Sequence, residues 1–233
     1  MSAFLDSILY TLFPHRCFLC NEVILPRQRL CADCVKHAPY VLPPICEICG
    51  RSAEHCICGG HSRHYERCVS PFYHKDAAKS GILELKENNY AYTIEGFAAE
   101  MAEVIRREYG GIPFDLITSV PLHRKDLRAR GFDQAASLAK ALSERVGIPY
   151  VPTLTKLTYT DPQKELTAIL RRGNLLGVFD VTADVAGRVI LLVDDVITTG
   201  STLDECAKML KLYGAAEVYA VTAAAALLQK AEK

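Results

Sequence analysis

Eight of the ten cysteines fall between positions 17 and 58: Cys17, Cys20, Cys31, Cys34, Cys46, Cys49, Cys56 and Cys58, with only Cys68 and Cys206 outside. The same stretch holds Pro26, Pro39, Pro43, Pro44, Gly50, Gly59 and Gly60, so it cannot bury enough apolar surface to fold unaided and needs a staple. Residues 1–13 carry Asp6 and no Lys or Arg, so they lack the charged region of a secretory signal. The expected compartment is therefore cytoplasmic and reducing, where paired cysteines read as metal ligands before disulfides. Structural zinc takes four thiolates in a tetrahedron, usually from two short turns. Cys17-x-x-Cys20 and Cys31-x-x-Cys34 supply one such set. Cys46-x-x-Cys49 begins a second, with Cys56 and Cys58 as its partners; these two are only one residue apart, so His55, His61 and Cys68 stay open as substitutes. Two four-thiolate zinc sites leave no open coordination position, which makes them scaffold or interaction surface rather than a reaction centre.

Beyond this segment the chain is ordinary globular material: 50% hydrophobic and 23% charged, enough for a packed core. Its 27 basic and 27 acidic side chains cancel, and eight thiolates with two Zn²⁺ leave it acidic, which argues against coating nucleic acid by bulk charge. No apolar run is long enough for a spanning helix. Three regions are expected: an amphipathic helix at 1–14 on Phe4, Leu5, Ile8, Leu9, Leu12 and Phe13; a zinc-ribbon segment at 15–64; and a globular domain at 65–233. In the last, Ile94, Phe97, Ala98, Met101 and Ile105 recur at helical spacing. FDLITSVPLH at 114–123 gives a strand ending at Pro121. A helix follows over 132–146, a strand over Tyr150 to Leu157, and a polar functional loop over 160–177. The run 188–225 reads strand, loop, helix, a stop at Gly214, and a strand from Glu217 to Thr222. Continuous apolar strands around a helix signal an α/β fold with a parallel sheet covered on both faces.

Within that run, VILLVDDVITTGST at 189–202 delivers two acids at a strand end, then a loop of small hydroxyl and glycine residues opening a helix. The amides and hydroxyls of Thr198, Thr199, Gly200, Ser201 and Thr202 can surround a phosphate at the positive helix end. A Walker loop is excluded, since its G-K-[ST] lysine is missing. Asp194 and Asp195 can accept hydrogen bonds from a diol, which points to a ribose phosphate. The basic run Arg124, Lys125, Arg128 and Arg130, offset only by Asp126, reads as a loop at a strand end where ligands bind in such sheets.

The pattern of apolar residues, two acids and T-T-G-S-T resembles the signature of type I phosphoribosyltransferases. Over nearly the whole chain the sequence is similar to the ComF family of competence-associated proteins. The matching stretches are LFPHRCFLC at 12–20, CEICG at 46–50, LKENN at 85–89, SVPLHRKDLRARGFDQA at 119–135, and the frame from Gln163 through Arg171 and Asn174 to Phe179. Two departures stand out: Cys56-x-Cys58 where the family commonly has C-x-x-C, and Leu170 where an acid commonly precedes Arg171. The resemblance implies a type I phosphoribosyltransferase-like parallel sheet flanked by helices, preceded by a double zinc ribbon. It implies binding of phosphoribosyl pyrophosphate (PRPP) with Mg²⁺, its pyrophosphate approached by Val120, Pro121, Leu122, His123 and Arg124. Asp194, Asp195 and Arg171 are the implied catalytic residues, with Gln163, Lys164, Arg172 and Asn174 in a covering loop.

Two classes of function follow. One is a transferase that displaces pyrophosphate at ribose C1 in favour of an acceptor, generically a nucleobase, that no residue here identifies. The other is a non-catalytic PRPP sensor or a grip on single-stranded DNA, since the resemblance implies a link to DNA uptake and its proteins. The zinc ribbons and the basic stretch 124–130 would then meet phosphates, with Tyr90, Tyr92 or Phe132 stacking on bases. A third reading is a zinc-held adaptor with a vestigial pocket.

Overall fold

The structure is a computed structural model that describes residues 14–56, 58–59, 62–157 and 178–228. The expected helix at 1–14 and the loop at 160–177, with Gln163, Lys164, Arg171, Arg172 and Asn174, fall almost wholly outside these residues. In chain order the elements are α1 (Ala32–His37), β1 (Cys68–Val69), β2 (Phe72–Tyr73), α2 (Asp76–Glu87), α3 (Ala91–Glu108), β3 (Leu116–Ser119), α4 (Arg124–Arg130), α5 (Gln134–Val146), β4 (Leu154–Lys156), β5 (Phe179–Val181), β6 (Val189–Ile197), α6 (Ser201–Leu212) and β7 (Glu217–Ala225).

Strands β6 and β7 pair in parallel along their length, because both are apolar on both faces and so are stable only when covered on both sides. Alternation sends Leu191 and Val193 to the face packed by α2, α3 and α5, and Ile190 and Leu192 to the face packed by α6. Each fully buried Leu or Ile contributes roughly 1.5–3 kcal/mol, and β6 supplies three of them, Ile190, Leu191 and Leu192, to the core, while the small alanines of β7 let the flanking layers approach. On one side of this pair β1 and β2 both run parallel to β7; on the other β3 runs parallel to β6, and a parallel bridge from Ile117 to Tyr150 extends that edge. From β3 the chain passes through α5 outward to Tyr150, whereas from β6 it passes through α6 to β7 in the opposite direction. The switch in winding therefore falls between β3 and β6, the place at the carboxyl ends of the strands where open α/β sheets form their ligand crevice.

The expected helices and strands of 91–146 and 188–225 are present. Asp133 Oδ1 accepts the Ala136 amide at 2.9 Å to start α5, and Gly147 ends it at φ 73°. Two expectations are corrected. Residues 124–130 form the helix α4 rather than a loop: RKDLRAR is built of helix formers, His123 Nδ1 caps the Lys125 amide at 3.2 Å, and Gly131 closes the end at φ 81°. The stretch from Tyr150 does not make one strand of the main sheet. Tyr150 bridges to β3, while Leu154–Lys156 turns away to pair antiparallel with β5, which sequence periodicity did not reveal.

The cysteine-rich segment packs into the same core as the sheet. Phe18, 2% exposed, sits between Phe72 and Phe97 with ring centroids 6.1 and 5.1 Å away. A Cβ on Gly96 would lie 2.1 Å from Phe18 Cγ, and one on Gly81 would lie 2.5 Å from the Phe18 carbonyl oxygen. Only glycines on α2 and α3 let the first knuckle approach this closely.

Candidate functional site

The first pair of each cysteine set stands on a tight turn, and Cys31 caps the helix α1 that carries Cys34. After Cys17 and Cys20 comes Asn21 at φ 65°; after Cys46 and Cys49 comes Gly50 at φ 67°. In both turns an amide returns to the first cysteine's carbonyl, Asn21 to Cys17 at 2.9 Å and Gly50 to Cys46 at 3.0 Å. The Sγ atoms of Cys17, Cys20, Cys31 and Cys34 lie within 4.8 Å of one another, and so do those of Cys46, Cys49, Cys56 and Cys58. A tetrahedral zinc with bonds of about 2.3 Å needs sulfurs about 3.8 Å apart. The separations include 3.6 Å for Cys20–Cys31 and 3.6 Å for Cys46–Cys58, 3.8 Å for Cys49–Cys56, 3.4 Å for Cys46–Cys56 and 3.2 Å for Cys56–Cys58, so the second set is the more contracted around its C-x-C pair. Both sets thus fit structural zinc, and the Cys56-x-Cys58 spacing reaches the second set without a substitute. Of the alternatives, His55 turns its Nδ1 to Ser52 Oγ at 2.9 Å and Cys68 is buried in β1; His61 lies outside the described residues.

The anion-binding candidates sit at the crevice. Gly200, at φ 83°, precedes the first turn of α6, and a Cβ there would stand 3.0 Å from the Tyr65 hydroxyl. Thr198, Thr199, Ser201 and Thr202 are exposed around it, with Thr199 Oγ1 and Ser201 Oγ 2.9 Å apart. Asp194 and Asp195 are the sixth and seventh residues of β6, so strand alternation sends their side chains to opposite faces. Asp195 Oδ2 meets Lys86 Nζ, on the last turn of α2, at 3.1 Å. Asp194 Oδ1 accepts the Asp195 amide at 2.8 Å. Burial, then the Asp195 charge, pushes the Asp194 carboxyl well above the usual carboxylate range.

Across the crevice, Ser119 is in register with Val193, and the Val120 amide donates to the Val193 carbonyl at 2.9 Å. The turn from Val120 to His123 thereby stands beside the two acids, and Asp133 Oδ2 holds it by accepting the Leu122 amide at 3.0 Å. Arg124 follows, exposed at the start of α4. The structure brings together Val120, Pro121, Leu122, His123, Asp194, Asp195 and residues 198–202; Arg171 lies outside the described residues. His74 closes the far side with its amide on the Ala225 carbonyl at 2.8 Å, and burial followed by the Lys86 and Lys79 charges holds its imidazole below the ordinary value.

Sequence analysis quoted Lys86 within LKENN without giving it a role, and it did not foresee the arginines that reach this loop from the cysteine-rich segment. The Nη2 of Arg51 donates to the carbonyls of Ile197 at 3.3 Å and Thr198 at 2.5 Å, and its Nε to that of Ala226 at 2.9 Å. Arg63 Nη2 donates to the Thr199 carbonyl at 3.0 Å, and Arg63 Nη1 stands 3.7 Å from Asp204 on α6.

Two protein families match the chain: residues 132–233 match the phosphoribosyl transferase domain, and residues 8–69 match the double zinc ribbon domain. DNA utilization protein YhgH of Salmonella typhi is 31% identical over 206 residues, covering 87% of this chain and 86% of that protein. YhgH of Escherichia coli K12 is 31% identical over 215 residues, covering 88% and 94%. Competence protein F of Haemophilus influenzae is 29% identical over 219 residues, covering 88% and 95%.

Proposed function

We propose that this chain, which belongs to the family of competence protein F and DNA utilization protein YhgH, binds PRPP in the crevice between β3 and β6. The observation that carries the reading is the register of β3 on β6, which sets the Val120–His123 turn beside the acids and the 198–202 loop. In this reading the loop amides and hydroxyls take the 5′-phosphate, Asp194 and Asp195 accept hydrogen bonds from the ribose hydroxyls, and Val120 to Arg124 approach the pyrophosphate. Arg171 is kept in this reading as the third catalytic residue that the resemblance implies. Lys86 stands where it can exchange its bond to Asp195 for one to a ligand oxygen. Mg²⁺ arriving with PRPP would offset the pyrophosphate charge, a role that Arg124 and the turn amides share. If transfer follows, the C1–oxygen bond breaks, pyrophosphate leaves, and an acceptor closes on a ribosyl centre with oxocarbenium character.

The test is calorimetric titration of the zinc-loaded chain with PRPP, with and without Mg²⁺. Magnesium-sensitive binding at micromolar ligand is expected, and would justify an acceptor screen by pyrophosphate release. No detectable heat at millimolar PRPP would sink the reading. A second reading, a grip on single-stranded DNA, is favoured by Tyr90 and Tyr92, stacked at 5.4 Å and 17° beside the first cysteine set, where Tyr92 donates to Asn21 Oδ1 at 2.7 Å. Its signature is an affinity that falls steeply with salt, whereas a sugar-phosphate pocket responds weakly.

A further inference from the structure

The side chain of Arg51 is 1% exposed, yet its hydrogen bonds end on backbone carbonyls rather than on a carboxylate. Burying a guanidinium this deeply is costly unless its donors are satisfied, and a leucine or methionine would fill the space without that cost. The placement therefore calls for a reason in what the arginine holds. It holds three points, the carbonyls of Ile197, Thr198 and Ala226, and Arg63 takes the next loop carbonyl, that of Thr199. Three successive peptide units of the loop thus turn their oxygens toward arginines of the cysteine-rich segment. In a planar trans peptide the C=O and the following N–H point in opposite directions. Fixing the oxygens of 197, 198 and 199 therefore aims the amides of Thr198, Thr199 and Gly200 the other way, away from the two cations.

The second cysteine set in turn fixes where the Arg51 guanidinium sits. The Arg51 carbonyl accepts the Cys46 amide at 2.7 Å and closes that knuckle. The preceding Gly50 packs so tightly that a Cβ would lie 2.4 Å from the Cys68 carbonyl oxygen. We propose that Arg51, with Arg63, is a positioning residue that presets the 198–200 amides as an anion cradle, and that the second zinc site sets the cradle through it. This rests on the reading that the loop takes the 5′-phosphate of PRPP. The zinc ribbon then acts on ligand binding without touching the ligand.

The experiment uses the full zinc-loaded chain as wild type, Arg51→Met, Arg51→Lys and Arg63→Ala. Each is measured for zinc per chain, for hydrogen–deuterium exchange over 197–203 and over α3, and for PRPP affinity with Mg²⁺. Arg51→Met should keep two zinc ions, exchange at 197–203 at least tenfold faster with α3 unchanged, and bind PRPP at least tenfold more weakly. Arg51→Lys should recover part of both effects, and Arg63→Ala should shift both in the same direction by less. A merely space-filling role would change exchange in α3 and the loop together. A folded, zinc-loaded Arg51→Met with wild-type exchange at 197–203 overturns the proposal. Should Arg51→Met fail to fold or to load zinc, Arg63→Ala decides, and wild-type loop exchange in that variant overturns it. If wild type binds no PRPP, the ligand reading falls, while the exchange data still decide whether the arginines position the loop.

Discussion

Asp194 and Asp195 are adjacent in sequence and differ in physical circumstance. Asp195 has Lys86 at 3.1 Å, whereas Asp194 is driven toward its protonated form by burial and by the Asp195 charge. A carboxyl whose value is raised on folding contributes stability that is full below the ordinary carboxylate pKa and is lost as pH rises through the raised value. Above the ordinary carboxylate range the raised value is therefore a net cost to folding, and in the proposed reading that cost is retained for contact with the ribose. Asp194→Asn should raise the melting temperature at pH 8, by about 2–4 °C for each kcal/mol recovered, and give no gain near pH 4. Differential scanning calorimetry at the two pH values checks this, and a gain of equal size at both contradicts it. Asp195→Asn should keep zinc and fold while weakening PRPP binding by about 10–100-fold, the worth of a charged hydrogen bond of roughly 1.5–3 kcal/mol. Unaltered affinity would remove Asp195 from the ribose grip. At this scale the acids and T-T-G-S-T were legible because their chemistry is local. The roles of Lys86 and Arg51 were not, because their partners lie far along the chain: LKENN contains Lys86 but does not say that it meets Asp195, and nothing around Arg51 points to the loop after β6.

Among the elements, α5 and the β6–α6–β7 unit were legible from periodicity, caps and glycine stops. The nature of α4 was not. Its charges suggested an exposed loop, but charge governs solvation rather than backbone conformation, and RKDLRAR between His123 and Gly131 is as good a helix as its length permits. The antiparallel pair β4–β5 escaped because three residues are too few to show alternation. The fit of the first knuckle against α3 is likewise a matter of pairs of elements. Since a methyl on Gly96 would overlap the Phe18 ring, Gly96→Ala should destabilise the chain about as much as removing the ring. Phe18→Ala itself should cost about 3–5 kcal/mol. Urea unfolding of the zinc-loaded variants reads both, and a cost below about 1 kcal/mol for either would show that the knuckle does not wedge into the core.

For the molecule as a whole, the question is whether the cysteine-rich segment is a detachable module. Composition suggested a boundary near residue 64, because cysteine and turn formers give way to ordinary globular sequence there. Composition cannot show which side chains cross such a line. Phe18 crosses it into the cluster of Phe72 and Phe97, and Arg51 crosses it to the loop after β6. Structural zinc contributes of the order of 10–16 kcal/mol of apparent binding free energy in isolated zinc-finger peptides, more than a typical domain's net stability. Stripping zinc should therefore do more than melt residues 15–64. It should leave Phe72, Phe97 and the Ile197–Thr198 carbonyls without their partners and lower the melting temperature of the parallel sheet by 10 °C or more. Thermal melts followed by far-ultraviolet circular dichroism, before and after chelation, separate the cases. One cooperative transition that moves down on chelation means a single folding unit with zinc in its frame. A sheet transition that stays in place while the ribbon signal disappears means a module whose contacts across residue 64 add little, and would remove the energetic basis for control of the loop by zinc.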